Sequence, residues 1–110
     1  MANRRGHAGR TDGTQTPIVE ALRAAGVFVQ SLASVGDGCP DLLCSVRGKE
    51  PFGGVWGSWF LIECKVEGER LTPKQKTWQA SAPAATHIAY TPEQAIQIAD
   101  YYRQRAKGKV

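Results

Sequence analysis

Long apolar runs are missing from this chain. No segment approaches the roughly 20 apolar residues that a bilayer span requires, and the N-terminus MANRRGHAGRTDG holds no apolar stretch of the kind a secretory signal carries. No membrane association and a cytoplasmic location are therefore expected. Cysteine is scarce as well: Cys39, Cys44 and Cys64 are odd in number and fall into no CxxC or Cys/His zinc spacing. They read as small buried hydrophobes rather than as disulfides or metal ligands. Internal repeats, linkers and low-complexity segments are also lacking, and 110 residues with 42% apolar content leave room for one small core and no second domain.

Acidic residues are absent from both ends. Residues 1–10 carry Arg4, Arg5 and Arg10, and residues 103–110 carry Arg103, Arg105, Lys107 and Lys109. Seven of the fourteen basic residues remain for the middle, against all ten acidic ones, so the net charge of +4 arises at the ends. A basic N-terminal tail over 1–15 and a basic C-terminal tail over 103–110 around a mildly acidic body suit a polyanion wrapped about a site that itself binds cations. Solvated, frayed termini would show the same bias.

Three helix starts stand out. Thr16-Pro17 reads as an N-cap with proline at the first helical position, followed by the apolar stripe Ile18, Leu22, Ala25 and a stop at Gly26. Thr72-Pro73-Lys74-Gln75 and Thr91-Pro92-Glu93-Gln94 repeat that start with glutamine three residues after the cap, the capping-box pattern. Between the helices, strands are expected over Val27–Leu32, Asp41–Val46, Ser58–Lys65 and Thr86–Tyr90, the middle two joined by the glycine-rich segment Gly48–Gly57. The order α-β-β-β-α-β-α predicts an α/β fold, a small mixed sheet flanked by helices with a crossover helix before the last strand.

Two of those strands carry charges where burial is expected. Side chains alternate along a strand, so Glu63 and Lys65 share a face with Trp59 and Leu61, while Phe60, Ile62 and Cys64 take the other. A hairpin brings Asp41, at the head of the neighbouring strand, beside Glu63. Two carboxylates that close repel, and a shared Mg²⁺ relieves the repulsion through the hard oxygen ligands it prefers. Singly, each residue reads as an outward charge or a turn residue. Together at the ends of paired strands they suit phosphodiester hydrolysis, with Lys65 orienting water or stabilising transition-state charge.

Pro40-Asp41 followed by Glu63-Cys64-Lys65 resembles the PD-(D/E)xK nuclease signature. The stretches "ALRAAGVFVQSLASVGDGCPDLL" and "LIECKVEGERLTPKQKTW" are similar to the small stand-alone virus-type replication-repair nuclease domains of phages and prophages, over roughly residues 16 to 102. The resemblance implies a restriction-endonuclease-like core and a metal-dependent endodeoxyribonuclease, in the host cytoplasm if phage-encoded. It implies Asp41, Glu63, Lys65 and Gln75 as catalytic residues, and Glu20 with Asp41 and Glu63 as ligands of Mg²⁺, with Mn²⁺ able to substitute. Branched DNA, Holliday junctions above all, is the implied substrate and a homodimer the implied assembly. From the residues alone, Glu20 lies nearly opposite the apolar stripe of its helix, and Gln75 has a capping job that accounts for it equally well.

Arg4, Arg5, Arg10, Arg103, Arg105 and Lys107 are the expected DNA contacts. Asp37 reads as a Gly-Asp-Gly turn residue or an outer carboxylate, and the turn is expected to let the DNA backbone approach. Trp56, Trp59 and Trp78 suit stacking on unpaired bases or, more ordinarily, core and interface packing. His7 and His87 are assigned no role. Two other readings stay open: a non-catalytic DNA-binding or assembly module on a nuclease-like fold, and a monomeric flap or single-strand nuclease.

Overall fold

The computed structural model describes residues 15–49, 55–82 and 85–106. Its elements run α1 (Thr16–Ala24), β1 (Phe28–Ser31), β2 (Leu42–Lys49), β3 (Val55–Cys64), α2 (Pro73–Ser81), β4 (Thr86–Ala89) and α3 (Pro92–Ala106), in the expected order. The strands form one mixed sheet, β1-β2-β3-β4. Its first two pairings are antiparallel and the third, β3 with β4, is parallel. A parallel neighbour cannot be reached by a tight turn, and α2 lies on the crossover that reaches it.

Strand alternation sorts the side chains into two faces. Val29, Cys44 and Phe60 stand in register across β1, β2 and β3, as do Leu42 with Ile62 and Cys64 with Ala89, and all are buried. Ile18 and Leu22 of α1 and Ala95, Ala99 and Tyr102 of α3 complete this core. Phe60 stacks on Tyr102 at 4.6 Å between ring centres. Burying each large side chain here contributes about 1.5–3 kcal/mol. Burial pushes the Cys44 thiol up to about 12, in keeping with an inert core residue.

The hairpin is longer than expected. Pairing continues past Val46↔Ser58 through Arg47↔Gly57 and Gly48↔Trp56 to Lys49↔Val55, because glycine keeps its ladder donor and acceptor even where it lacks a side chain. A β-carbon on Gly57 would stand 3.0 Å from the Val46 carbonyl, which accounts for glycine inside this strand. Residues 50–54 lie outside the described residues.

The helix starts also differ in detail. Thr16 is already helical, and Gln15 at the cap position makes no capping bond; its amide donates instead to Ser31 Oγ at 3.1 Å. At α2 the expected capping box is complete. At α3, Thr91 Oγ1 accepts from the Gln94 amide, but the Gln94 side chain reaches one residue further back, to the Tyr90 N–H at 2.7 Å.

Arg103 and Arg105, assigned to a tail from their charge, belong to α3, since Arg, Gln and Ala are good helix formers. Arg103 donates to the Ala25 carbonyl at 3.0 Å, a cation at the C-terminal end of α1. Arg105 donates to the Tyr101 hydroxyl at 3.1 Å. Arg4, Arg5, Arg10 and Lys107 lie outside the described residues. No helix among the described residues is long and apolar enough to cross a membrane.

Two stability predictions follow from these contacts. Arg103→Ala should lower the unfolding free energy by about 1–2 kcal/mol, read by urea denaturation, since it releases a charge-assisted bond between α1 and α3. Burial also holds the His87 imidazole, 2.6 Å from the Tyr102 hydroxyl, below its ordinary 6.5. The unfolded chain then binds the proton more readily, so this contribution is complete above 6.5 and is lost as pH falls below it. Thermal melts at about pH 7.5 and 5.5 should show a smaller loss on acidification for His87→Gln than for the native chain.

Candidate active site

Burying an ionised side chain is costly unless hydrogen bonds or an opposite charge compensate it. Glu63 is 0% exposed and Lys65 2% exposed. Glu63 belongs to the end of β3 and Lys65 follows its last residue, and by alternation Glu63 faces away from the core, on the side of the sheet opposite Phe60 and Ile62. α2 covers this end of the second face. Among the described residues, three of the four buried polar or charged ones, Glu63, Lys65 and Gln75, lie in this part of the chain.

Asp41 is set opposite Glu63 by register, one step beyond the Leu42↔Ile62 pair. Its Oδ2 accepts from the Cys64 N–H at 2.8 Å, and its own carbonyl accepts from the Leu32 N–H at 2.6 Å. The head of β2 is thereby tied to β1 on one side and to the Glu-Cys-Lys segment on the other. Asp41 and Cys39 are half-buried, which makes this loop the place where the site meets solvent. Burial first, then the Glu63 and Asp41 charges, raise the Cys39 thiol above its ordinary value. Both carboxylates therefore project their field onto one spot.

Gln75 caps its helix, as the sequence predicts, and also reaches Glu63. Its Oε1 accepts from the Thr72 N–H at 2.8 Å and its amide N–H donates to Thr72 Oγ1 at 3.2 Å, closing the capping box. That geometry leaves Nε2 free to donate to Glu63 Oε2 at 2.9 Å. The start of α2 thus orients the carboxylate.

The loop before Asp41 is fitted to the same helix start. Gly36, Asp37 and Gly38 all take left-handed φ, at 75°, 55° and 84°, and the Cys39 N–H closes the turn onto the Gly36 carbonyl at 3.0 Å. A β-carbon on Gly38 would collide with the Lys74 carbonyl and stand 2.9 Å from the Gln75 nitrogen. Only glycine lets the loop approach α2 this closely. Asp37 is a turn residue whose carboxylate lies 4.0 Å from the Lys74 ammonium, both well exposed, so the pair contributes little.

The structure joins Gln75 to Glu63, sets Asp41 opposite Glu63 by register and buries Lys65 two residues further along the chain, and it leaves Glu20 apart. Glu20 is exposed on α1, and among the described residues no group of three or more His, Cys, Asp or Glu is placed to hold a metal ion. Trp78 is half-buried and lines a cavity of about 570 Å³ along α2 with Asp37, Lys74 and Thr77. That cavity includes none of the charged site residues. The side chain of Trp56 lies outside the described residues. Cys39, expected to be a buried hydrophobe like Cys44 and Cys64, is only half-buried at the edge of the site, and the sequence reading missed the close approach of Gly38 to α2; the placement of both immediately before Pro-Asp was the available signal. No protein-family model, curated protein or solved structure matches this chain.

Removing the link between α2 and Glu63 should be felt in stability before any chemistry is assayed. Gln75→Ala loses a cap and a bond to a buried carboxylate and should cost about 2–4 kcal/mol. Gly38→Ala should cost at least about 1–2 kcal/mol from backbone strain alone, with the collision added. Denaturant titration of the two variants and their double mutant should show less than additive losses, because both loosen the same helix start.

Proposed function

We propose that this chain is a metal-dependent DNA endonuclease that hydrolyses phosphodiester bonds at the Asp41, Glu63, Lys65 cluster. The observation that carries the reading is the complete burial of Glu63 and Lys65 at one strand end, opposite Asp41. A scaffold role would be filled more cheaply by apolar residues. The mixed sheet, its crossover helix and the Pro-Asp and Glu-Cys-Lys positions accord with a restriction-endonuclease-like core, and the similarity to stand-alone virus-type replication-repair nucleases points the same way.

The donor set suits Mg²⁺, which binds through one or two carboxylates and retains several waters. Asp41 spends Oδ2 on a backbone amide, and Gln75 fixes Glu63 through Oε2. Both carboxylates are thereby held in defined orientations, and they would be the ion's protein ligands. Glu20 is not needed for such a set. When bound, the ion supplies polarisation of a phosphoryl oxygen and a more acidic water. Lys65, on the same strand end, stabilises the charge that develops on the phosphoryl group and orients the attacking water. Its burial strengthens that interaction by excluding competing solvent. Gln75 does not touch substrate; it positions Glu63.

Branched DNA and a symmetric homodimer complete the proposal. A four-way junction needs two nicks related by symmetry, which a two-fold dimer of single-site chains supplies. Trp59 shares the Glu63 face of the sheet, so it is unsuited to an interface that leaves the cleft clear. The last helix remains suited to it. Beside it lies a groove of about 520 Å³ lined by His87, Ile88, Tyr90, Ile98 and Tyr101 among others.

Gel assays with Mg²⁺ or Mn²⁺ on linear, flapped and four-way DNA, with light scattering on the free protein, test the reading. Asp41→Ala and Glu63→Ala should each lower cleavage at least about 100-fold and abolish Mn²⁺ binding by calorimetry, whereas Lys65→Ala should lose cleavage and keep the metal. Unchanged Mn²⁺ affinity without both carboxylates would refute the site. A monomer that nicks flaps and ignores junctions would refute the resolvase assignment alone.

A further inference from the structure

The sheet face that carries Glu63 is covered by α2 at one end only. Towards the hairpin tip it bears Phe28, 52% exposed, and Trp59, 59% exposed, both facing away from the core. Register sets Phe28, Ser45 and Trp59 side by side across β1, β2 and β3. The two rings meet edge to face, with centres 6.1 Å apart and planes at 88°, and this contact braces them while leaving ring surface open. Ser45 lies between them, and Gly57, two residues before Trp59 on the same face, has no side chain, while Leu43 and Leu61, both half-buried, lie on the Glu63 side of the rings. Arg47, exposed and paired with Gly57, puts a cation on that face.

We propose that Phe28 and Trp59 form a stacking platform for the unpaired bases of single-stranded DNA, with Arg47 contacting the adjoining phosphate. The platform rests on the nuclease reading for its purpose. Trp59 and Glu63 are four residues apart on one strand, about 13 Å at 3.3 Å per residue. A strand leaving the cleft along β3 reaches the rings within a few nucleotides. Base stacking on aromatic rings tolerates any sequence, which suits a chain without a base-reading motif.

A second copy is the less fitting occupant. A stable interface buries about 800 Å² on each partner around an apolar centre, whereas here two rings and the half-buried Leu43 and Leu61 stand beside Gln30, Ser45 and Arg47. A two-fold contact centred on them would also bring the two Arg47 cations towards each other. An anionic strand is attracted by the same charge.

Binding of an oligothymidine and of a duplex of equal length, measured in EDTA so that no cleavage occurs, tests the platform. In a Trp56→Phe/Trp78→Phe background, the oligothymidine should quench the remaining Trp59 fluorescence. Trp59→Ala should weaken single-strand binding about 5- to 150-fold per stacked base, Trp59→Tyr should restore most of it, and duplex binding should change less than about twofold. Equal single-strand affinity for native and Trp59→Ala chains of the same melting temperature would overturn the platform. So would a change from dimer to monomer on Trp59→Ala with no quenching by the oligothymidine, which would give the face to a second copy. Trp59-dependent binding by a chain that cuts no DNA would uphold the platform and reject the nuclease; cleavage with unaltered binding would do the reverse.

Discussion

The contact on which this arrangement turns is the hydrogen bond from Gln75 Nε2 to Glu63. A glutamate at 0% exposure must be compensated from within the protein, and the donor comes from a helix whose own start is fixed by the same side chain. The capping box consumes Oε1 and the backbone N–H of Gln75. Only Nε2 is left over, and it is directed at the carboxylate. A local rule of helix termination thus becomes a tertiary constraint: displacing Gln75 uncaps the helix and breaks this bond to Glu63 at once.

The Gly36–Gly38 turn depends on the same constraint from the other side. Its close approach to Lys74 and Gln75 is possible only without a β-carbon, and it delivers Pro40 and Asp41 to the head of β2. There the Cys64 amide captures the Asp41 carboxylate. Loop, strand end and helix start are mutually fixed around two carboxylates and a lysine. In the proposed nuclease a divalent cation shared by Asp41 and Glu63 would offset the repulsion between two ionised carboxylates. In the proposed nuclease, the cost of assembling the site is therefore recovered when the ion binds.

Much of this could be read from the chain because short-range rules governed it. Thr72-Pro73-Lys74-Gln75 announces a capped helix, and period-two alternation separates Glu63 from Ile62 without any tertiary information. The element order emerged for the same reason. What sequence could not supply was distance. Gly48 and Gly57 look like a loop, yet they stay in the ladder, where backbone pairing outweighs side-chain propensity. Arg103 looks like a solvated tail charge until α1 ends within reach of it. Glu20 illustrates the opposite case: family resemblance placed it at the metal, while its position opposite Ile18 and Leu22 already indicated the exposed side of α1 on which it lies. For Gln75 the sequence offered a capping role or a catalytic one; the cap is formed, and the bond to Glu63 was not legible in the chain.

The two faces of β3 show how so small a sheet can serve both stability and chemistry. On one face Phe60, Ile62 and Cys64 are uniformly buried beneath α1 and α3. On the other, exposure rises along the strand, from Glu63 at 0% beneath α2 to Trp59 at 59% nearer the hairpin tip. At the buried end the start of α2 reaches the face through Gln75, which donates to Glu63. In the proposed nuclease this face therefore joins a desolvated charged centre to an open aromatic surface on one strand, and any further cover over Trp59 would close the course of a bound DNA strand along the sheet.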